Sequence, residues 1–410
     1  MRLFDSILRA EVAAWAETNQ IPLRTEVNGR IRVLHVVQNG MPVYKITHNE
    51  NAAISTAADA VFDSASFGQN GSGVTVGVWD EGHVQSTHQE LIGRVNARDS
   101  AVDGASRHAT HVAGTIAASG IRASARGMAP LATIDSYDWD SAESEIISVA
   151  ATSSNQADKI YLSNHSWGLT AGWVDGVFYG FYDFGRYSDT VRLMDDILYD
   201  APYHLPIFAA GNDRNDIGDG SQPDDGDYKD GGYDTLTAYA VAKNVLTVGA
   251  VNDAVSANER SVSQASMASF SSWGPCDDGR IKPDVVGNGI NLYSADSATN
   301  SEYRVLSGTS MAAPNVSGSA ALLMELYGEL FNGNQMRASS LKGLIIHTAD
   351  DCGRVGPDYQ YGWGLMNTLA AAEQINAYAE GQFMRLREDY LSSLNRRVVT
   401  NVVYSSGLEP

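Results

Sequence analysis

Residues 74–80 have the sequence VTVGVWD, an apolar run rich in valine that ends on one aspartate. Short apolar runs of this kind, without polar alternation, indicate strands that are buried on both faces of a sheet. Similar runs recur along the chain, and helical patterns separate them. The predicted strands are 74–80, 159–164, 205–212 and 244–251, and the predicted helices are 109–119, 188–200 and 308–328. This alternation predicts an α/β fold with a mainly parallel central sheet covered by helices on both faces.

The residues that end these apolar runs indicate where a site would form. In open parallel sheets, the active crevice lies at the carboxyl ends of the strands. Asp80 ends the first run, and Gly211 and Asn212 end the run PIFAAGN. We therefore expect the Asp80 carboxylate and the Asn212 amide to lie in the same crevice.

The segments before this alternating region predict a small module. An amphipathic helix is predicted near residues 4–16, and the runs RIRVLHVV and MPVYKIT are joined through Asn39 and Gly40, a strong hairpin signal. We predict a helix and β-hairpin module over residues 1–50. A linker is predicted over residues 51–70, where Ala, Ser, Asn and Gly dominate and periodicity is weak.

The main domain is predicted over residues 71–377. Two helical patterns close it, at 339–348 and 366–377. The tail, residues 378–410, is more polar and ends in RRVVTNVVYSSGLEP, which has the character of strand without a partner. It either pairs with the main sheet or begins a truncated β-domain.

The composition limits the classes of partner. The chain of 410 residues has 49 Asp and Glu against 28 Lys and Arg, a net charge of -21. This charge argues against nucleic acid or an anionic membrane surface as a partner. No run reaches the roughly 18 apolar residues of a membrane-spanning helix. We expect a monomeric globular protein with neither nucleic acid nor membrane as a partner.

The two cysteines, Cys276 and Cys352, leave two alternatives open. One disulfide in an oxidising compartment and two free buried thiols fit the sequence equally well. The N-terminus, MRLFDSILRAEVAAWAETNQ, is amphipathic with early acidic residues, and it lacks the pattern of a signal peptide.

Ser310 is a candidate nucleophile because it lies among small residues at the start of the helical pattern SGTSMAAPNVSGSAALLMELYG. Helix N-termini favour developing negative charge, although an ordinary helix cap is the commoner explanation of an isolated serine. His108 is the candidate base, at the mouth of the small-residue helix RHATHVAGTIAAS. We assign His111, one turn further, to the core, and His88 to a polar loop with no helix to fix its ring.

A carboxylate and an oxyanion donor complete the set that acyl transfer requires. A catalytic histidine needs a buried carboxylate to orient it, which we assign to Asp80. The oxyanion needs a hydrogen-bond donor, which we assign to Asn212. Each residue alone also fits a structural role. Their chain order, Asp80, His108, Asn212 and Ser310, is the stronger signal.

These motifs resemble those of the subtilisin-like serine peptidases, the subtilases. The resemblance rests on VGVWDEG around Asp80, HATHVAGT around His108, AAGN ending at Asn212 and GTSMAAP around Ser310, and it covers about 71–377. It implies the subtilisin-like three-layer fold and a serine endopeptidase that hydrolyses proteins through an acyl-enzyme intermediate. The segment SSWGPCDDGRIKPDVV is similar to one in larger bacterial members, many of which carry an added β-sandwich.

The resemblance also implies a role for each matched residue. Ser310 would attack the scissile carbonyl, His108 would accept and return the proton, and Asp80 would hold the imidazole tautomer. Asn212 and the backbone amide of Ser310 would stabilise the oxyanion. The segment NHSWG is similar to the family strand that pairs with an extended substrate. The residues implied at the border of the first specificity pocket are Ser166, Trp167, Gly168 and Gly211.

Partners and location follow from the same resemblance. It implies protein and peptide substrates, no cofactor for the chemistry, and an extracellular, secreted protein. Residues 1–50 are similar in size to part of a subtilase pro-segment, which assists folding and inhibits the enzyme by occupying the substrate groove. The resemblance implies that this segment is removed by a cut near KITHNENAA. A permanent N-terminal extension is the alternative. A structural Ca2+ in a Gly-rich acidic loop is a further hypothesis, against a merely solvated loop. Its candidate ligands are Asp224, Asp225, Asp227 and Asp230.

Three positions depart from the family pattern. Ala109 replaces the usual glycine after the histidine, and Asn315 replaces the usual histidine after GTSMAAP. Neither change is expected to touch the chemistry. Trp167 is bulkier than the residue in many members, so we expect it to restrict or reshape the pocket.

Two other interpretations of the whole chain stay open. Serine-carboxyl peptidases share a serine on a helix and a similar fold, but they need carboxylates where His108 and Asn212 stand. A binding protein built on an inactive peptidase scaffold is the non-enzyme alternative. Such proteins normally lose a member of the catalytic set, whereas this chain keeps all four positions.

Overall fold

A computed structural model describes residues 14–22, 24–27, 30–38, 41–46, 49–62, 64–99, 104–174, 177–179, 184–216, 232–382 and 388. The helices are α1 (Asn49–Ser55), α2 (Asp59–Phe62), α3 (Arg107–Ala117), α4 (Ala142–Val149), α5 (Asp189–Asp200), α6 (Thr309–Leu330), α7 (Ala338–Thr348) and α8 (Thr368–Ala379). The strands are β1 (Arg24–Val27), β2 (Arg30–Gln38), β3 (Met41–Ile46), β4 (Thr75–Asp80), β5 (Val95–Ala97), β6 (Thr133–Asp138), β7 (Leu162–His165), β8 (Trp173–Val174), β9 (Val177–Phe178), β10 (Leu205–Ala209), β11 (Leu246–Val251), β12 (Val255–Ser256), β13 (Glu259–Arg260), β14 (Val285–Asn288), β15 (Leu292–Ala295) and β16 (Tyr303–Leu306).

The central sheet has seven strands in the order β14-β11-β10-β7-β4-β6-β5, and its pairings are parallel. The four strands predicted from apolar runs are β4, β7, β10 and β11, so the predicted α/β class is confirmed. Strand β6 was not predicted. Its sequence, TIDSYD, is mostly polar although four of its six residues are buried. A pattern of hydrophobic residues does not indicate this central strand, because its buried polar side chains form hydrogen bonds inside the fold.

Side chains of one strand enter two different cores, which gives the three layers. Val78 of β4 packs in the cluster that α3, α6 and α8 build on one face. Its neighbour Trp79 packs in the cluster that α4 and α5 build on the other face, with Ile146 and Met194. Since successive side chains of a strand point to opposite faces, β4 is buried on both sides.

Close packing of α3 against α6 brings the candidate base and nucleophile into one region. Gly318 of α6 makes this possible, because a Cβ atom there would lie 2.7 Å from the Met128 Cβ and 3.1 Å from the Ile116 carbonyl oxygen. Both distances are shorter than ordinary carbon contacts, so a side chain at Gly318 would push the two helices apart.

The predicted hairpin is confirmed, and it belongs to a larger sheet. Strands β2 and β3 pair antiparallel with Gln38 opposite Met41. Strand β1, which was not predicted, pairs with the other edge of β2. Residues 14–18 are helical, at the end of the predicted N-terminal helix. The rest of that helix and the turn residues Asn39 and Gly40 lie outside the described residues.

The segment interpreted as a linker is helical and buried in its first part. Helices α1 and α2 cover much of it, and Ala52, Ala53 and Thr56 are buried. The Thr368 amide and hydroxyl donate to the Thr56 carbonyl at 2.8 and 2.7 Å. Small side chains allow this close approach, and they are also the reason why the sequence showed little periodicity. The boundaries of the domains stay predictions.

The two predicted C-terminal helices are confirmed as α7 and α8. Of the tail, Glu388 accepts hydrogen bonds from the Arg337 amide and the Ser340 hydroxyl. Residues 383–387 and 389–410, including the predicted unpaired strand, lie outside the described residues. Within the described part, no helix is long and apolar enough to cross a membrane.

The cysteines are free and buried, so the second of the two alternatives holds in this structure. Burial raises the pKa of Cys276 to about 11. The Cys352 thiol donates to the Asp350 carbonyl at 3.4 Å. The two thiols lie in separate hydrophobic clusters.

Candidate active site

Three adjacent strands end at one crevice. Trp79 of β4 pairs with His165 of β7, and His165 pairs with Phe208 of β10. Because neighbouring strands lie about 4.8 Å apart, the residues that follow these three begin the same edge of the sheet. Those residues are Asp80, Ser166 and Ala209, with Gly211 and Asn212 shortly after Ala209.

Asp80 and His108 form a hydrogen-bonded pair at this edge. The distance from Asp80 Oδ1 to His108 Nδ1 is 2.7 Å, and the aspartate is fully buried. The histidine side chain is 28% exposed. Ser106 caps helix α3 by accepting from the Ala109 amide at 3.1 Å, which fixes the first turn that carries His108. Since Nδ1 is engaged, Nε2 is the nitrogen that a reacting group can meet.

The charges around His108 favour its protonated form. Burial opposes a positive charge on the ring, but the charge of Asp80 and the hydrogen bond to it outweigh burial, and the charge of Glu81 adds to them. The pKa of His108 is therefore raised above its ordinary value of 6.5. Glu81 is held beside this site by the Ser106 hydroxyl, which donates to Glu81 Oε1 at 2.8 Å.

Ser310 is the second residue of α6, and it is joined to the end of β7. Its hydroxyl donates to the Ser166 carbonyl at 3.0 Å, and the Ser166 hydroxyl donates to the Ser310 carbonyl at 2.9 Å. Among the described residues, no hydrogen bond joins Ser310 to His108. The Ser310 hydroxyl would have to leave the Ser166 carbonyl, by rotation of its side chain, to reach the imidazole. Catalytic hydrogen bonds are often unformed before a substrate binds.

Asn212 is fixed by the start of the same helix. Its side-chain oxygen accepts from the Thr309 amide at 2.9 Å and from the Thr309 hydroxyl at 3.1 Å. The carboxamide nitrogen is the donor that remains. A Cβ atom built on Gly308 would lie 3.7 Å from the oxygen and 3.8 Å from this nitrogen, so the carboxamide group lies beside the N-terminus of α6.

Gly211 has a backbone φ of +110°, a conformation that favours glycine. A Cβ atom there would also lie 2.8 Å from Asp213 Oδ2 and 2.9 Å from Ser272 Oγ. The turn after β10 therefore needs a glycine before Asn212, for reasons of both backbone and space.

A cavity of about 220 Å³ lies beside Ser310 and Asn212. The four residues predicted at the pocket border are all in its wall. Its lining residues are Ser166, Trp167, Gly168, Leu169, Thr170, Ala209, Gly211, Asn212, Asp213, Thr237, Thr309 and Ser310. Asp213 was not predicted, although it directly follows Asn212, because patterns of apolar residues do not show which loop residues line a cavity.

Trp167 forms a rigid part of this wall. Its ring meets those of Tyr239, Phe208 and Trp139 edge-on, with centroid distances of 5.2, 5.8 and 6.2 Å. Edge-to-face contacts of this kind stabilise the ring position. The expectation that this bulky residue shapes the pocket stays a prediction about specificity.

A second serine with histidine partners lies inside the sheet. Ser163 Oγ lies 2.8 Å from His165 Nε2 and 3.0 Å from His204 Nε2. All three side chains are fully buried. Burial lowers the pKa of His204 to about 4, and burial with the charge of His204 lowers that of His165 well below its ordinary value. This group is a core polar network that no substrate can reach.

The other histidines named from the sequence are structural. His111 is fully buried, and its Nε2 lies 3.1 Å from both the Leu292 and the Arg304 carbonyls, as expected for a core residue. His88 is also buried, and its Nε2 donates to the Glu302 carbonyl at 2.8 Å. The ring thus lies in a loop without a helix to fix it, as predicted, and its position is set by the carbonyl that precedes strand β16.

The two substitutions in the family motifs also have local explanations. Asn315 is buried, donates to the Ala52 carbonyl at 3.1 Å and accepts from the Asn288 amide at 3.0 Å. It ties helix α1 to helix α6, and these partners belong to the core. Ala109 is fully buried beneath His108.

The candidate calcium ligands Asp224, Asp225, Asp227 and Asp230 lie outside the described residues. Within the described part of the chain, no group of three or more His, Cys, Asp or Glu side chains is arranged to hold a metal ion. The calcium hypothesis stays a prediction.

Topology and site chemistry together define a class of protein. An aspartate, a histidine and a serine at the carboxyl edge of a parallel α/β sheet, in the chain order Asp, His and Ser, are typical of the subtilisin-like class of serine peptidases. The sheet order, the Asp80–His108 pair and the position of Ser310 on α6 agree with that class.

Comparisons with known proteins identify the family. The model of the Subtilase family matches residues 71–364. Serine protease AprX of Bacillus subtilis (strain 168) is 29% identical over 332 residues, which cover 72% of this chain and 65% of AprX. Subtilisin DY of Bacillus licheniformis is 28% identical over 312 residues, which cover 75% of this chain and 93% of that protein. The chain belongs to the subtilase family.

A solved structure agrees on the fold. The prenylagaramide maturation protease PagA superimposes with a TM-score of 0.51 at 23% sequence identity, covering 74% of this chain and 93% of that chain. With the seven-stranded parallel sheet, this likeness confirms the predicted subtilisin-like architecture.

Proposed function

We propose that this chain is a serine endopeptidase with Asp80, His108 and Ser310 as its catalytic triad and Asn212 as its oxyanion donor. The observation that carries the proposal is the hydrogen bond of 2.7 Å between Asp80 and His108 at the end of β4. The neighbouring strand β7 is followed beside it by Ser166, to which Ser310 is hydrogen-bonded. Membership of the subtilase family supports the reaction class.

The reaction begins when Ser310 Oγ attacks the carbonyl carbon of the scissile bond. His108 Nε2 takes the hydroxyl proton, and the carbonyl π electrons move to the oxygen. Asp80 stays ionised and stabilises the imidazolium through Nδ1. Collapse of the tetrahedral intermediate breaks the C–N bond, and His108 gives its proton to the leaving amine. Water then repeats the same steps on the acyl-enzyme and releases Ser310.

The oxyanion meets two donors at the N-terminus of α6. They are the carboxamide nitrogen of Asn212, which is oriented by Thr309, and the backbone amide of Ser310. The first amides of a helix lack intrahelical acceptors, and the helix dipole favours negative charge there. Donors that are already in place stabilise the developing charge without reorganisation.

Protein and peptide substrates fit this site because residues 166–168 follow strand β7 along the wall of the cavity. An extended peptide can add its backbone hydrogen bonds to such a segment, and one side chain then enters the pocket. Ser166, Trp167, Gly168 and Gly211 are the proposed substrate-binding residues. The chemistry needs no cofactor.

Secretion and zymogen processing are further parts of the proposal. The N-terminal module of strands β1 to β3 would be the removable segment. Asn49 is fully buried and donates to the Arg126 carbonyl at 2.9 Å, so it belongs to the folded peptidase. A cut must therefore fall before Asn49. N-terminal sequencing of active protein checks this, and an active form that still begins at Met1 would argue for a permanent extension.

Hydrolysis of denatured casein tests the proposed triad. The wild-type chain should cleave casein and react with a fluorophosphonate probe, and Ser310→Ala should do neither. Ser163→Ala is the matched control, because it removes a serine that contacts histidines in the buried network with His165 and His204, and it should keep probe labelling. A folded wild-type chain that resists the probe would support an inactive binding scaffold. Full activity at pH 4 would support the carboxyl-peptidase alternative, since a protonated histidine cannot act as a base.

A further inference from the structure

We propose that Asp213 makes the pocket beside Ser310 selective for substrates with arginine or lysine on the acyl side of the cleaved bond. This inference rests on the proposed peptidase function and assigns its substrate class. Among the described residues that line the cavity, Asp213 is the one with an ionisable side chain. The other lining residues are neutral, so the charge of the pocket is set by this carboxylate.

Asp213 is held at the wall by its own turn. The Asn212 amide donates to Asp213 Oδ2 at 3.2 Å, and the Asp213 amide donates to the Ser272 hydroxyl at 3.0 Å. Asp216 lies on the same turn, where its amide donates to the Asp213 carbonyl at 2.8 Å. Burial and the charge of Asp216 raise the pKa of Asp213 to about 6. The carboxylate is thus ionised above about pH 6, and a nearby cation would stabilise its charge.

The neighbouring cation in the sequence does not neutralise this charge. The guanidinium of Arg214 lies 4.2 Å from the ring centre of Trp273, and its Nη1 donates to the Ala268 carbonyl at 3.1 Å. Arg214 is therefore directed to a different part of the surface. Among the described residues, no cationic side chain forms an ion pair with Asp213, so a substrate can supply the positive group.

The pocket also suits the rest of a long basic side chain. Its volume of about 220 Å³ leaves room for the side chain of lysine or arginine. Trp167, Leu169 and Ala209 provide apolar wall for the methylene groups. Side chains of this kind bury their stems against apolar surface and direct the charge to a polar partner.

The experiment compares two peptides that differ only in arginine or citrulline at the cleaved position, because citrulline has nearly the shape of arginine without the charge. At pH 8, the wild-type kcat/KM should be about tenfold higher for the arginine peptide, a typical effect of one partly solvated charge pair. Asp213→Asn keeps an oxygen that can accept from the Asn212 amide but loses the charge. In this variant, the ratio should fall to within about twofold of unity. Asp189→Asn, at a side chain that is 97% exposed on α5, is the control for net charge and should keep the tenfold ratio.

The outcomes separate this inference from the proposed function. A wild-type ratio near unity, or an unchanged ratio in Asp213→Asn, would overturn it. Equal losses for both peptides in Asp213→Asn would show that the residue only positions Asn212. If that variant turns over neither peptide, calorimetry measures the binding of both peptides to Ser310→Ala and to the double variant Ser310→Ala, Asp213→Asn. A preference for the arginine peptide that is present only in Ser310→Ala would support the inference, and an equal preference in both proteins would overturn it. Failure of the proposed function is different, because the wild-type chain would then cleave neither peptide.

Discussion

The buried histidines should make the fold sensitive to acid, and His204 allows the effect to be worked out. Its Nδ1 donates to the Ile160 carbonyl at 2.8 Å, because a carbonyl can only accept. Its Nε2 is then the acceptor of the Ser163 hydroxyl at 3.0 Å. Protonation would add a second N–H that faces this hydroxyl in a site without access to water. Burial accordingly lowers the pKa of His204 to about 4.

The sign of the effect follows from proton binding. The unfolded chain, with an ordinary histidine pKa of about 6.5, takes up a proton before the folded one does, so stability falls as the pH decreases. The loss begins near pH 6.5 and is complete once the pH is below about 4, the folded pKa of His204. At about 1.4 kcal/mol for each pH unit, this one residue costs about 3 kcal/mol.

The assay is urea unfolding of Ser310→Ala, which should not digest itself, at pH 7 and at pH 4. Adding His204→Gln keeps a donor and an acceptor but removes the titration. The variant should lose about 3 kcal/mol less between the two pH values than its parent does. Replacing the exposed Asp189 with Asn is the control for a general change of charge. Equal pH dependence with and without His204→Gln would refute the assignment of a neutral buried histidine.

Three further predictions concern the base, the core and the metal. The acid limb of the pH profile of kcat/KM should lie above pH 6.5, because the pKa of His108 is raised. Glu81→Gln should move this limb to lower pH, and an unmoved limb would exclude the charge of Glu81 as a cause of the raised pKa. Asn315→Ala should lower the free energy of unfolding by about 1–3 kcal/mol, since the Ala52 carbonyl and the Asn288 amide stay buried without their hydrogen bonds to Asn315. A thermal or urea unfolding transition measures this loss, and an unchanged stability would contradict the structural role of Asn315. A chelator should lower the melting temperature if the acidic loop holds calcium, and a constant melting temperature would count against that site.

The strands and helices that could be predicted are those whose burial is accompanied by a hydrophobic pattern in the local sequence. Strand β4 is apolar on both faces, so its pattern alone indicates a central strand. Strand β6 carries Asp135 in the sheet, where the carboxylate pairs with Arg98 at 2.9 Å and with Asn96. These partners are distant in the sequence, so nothing local shows that a charged residue can be buried there. Helix α1 escaped prediction for a related reason: small residues pack closely without an amphipathic pattern.

Candidates for the chemistry could be named in advance because each lies in a short motif at the end of a strand or the start of a helix. Asp80 follows an apolar run, His108 and Ser310 begin helices, and Asn212 follows a glycine turn. Motifs of this kind are local, since backbone geometry over a few residues decides where each side chain emerges.

The tertiary structure decided which of these groups meet and what their surroundings do to them. The register that aligns Trp79, His165 and Phe208 places three strand ends at one crevice, and no single strand contains that information. The position of Asp213 in the cavity wall likewise depends on a contact with Ser272, which is distant in the sequence. Burial shifts the pKa values of His204 and Asp213, and the extent of burial depends on all the atoms that pack around each side chain. Motifs can therefore nominate the residues, while their charge states and their specificity arise only when the chain folds.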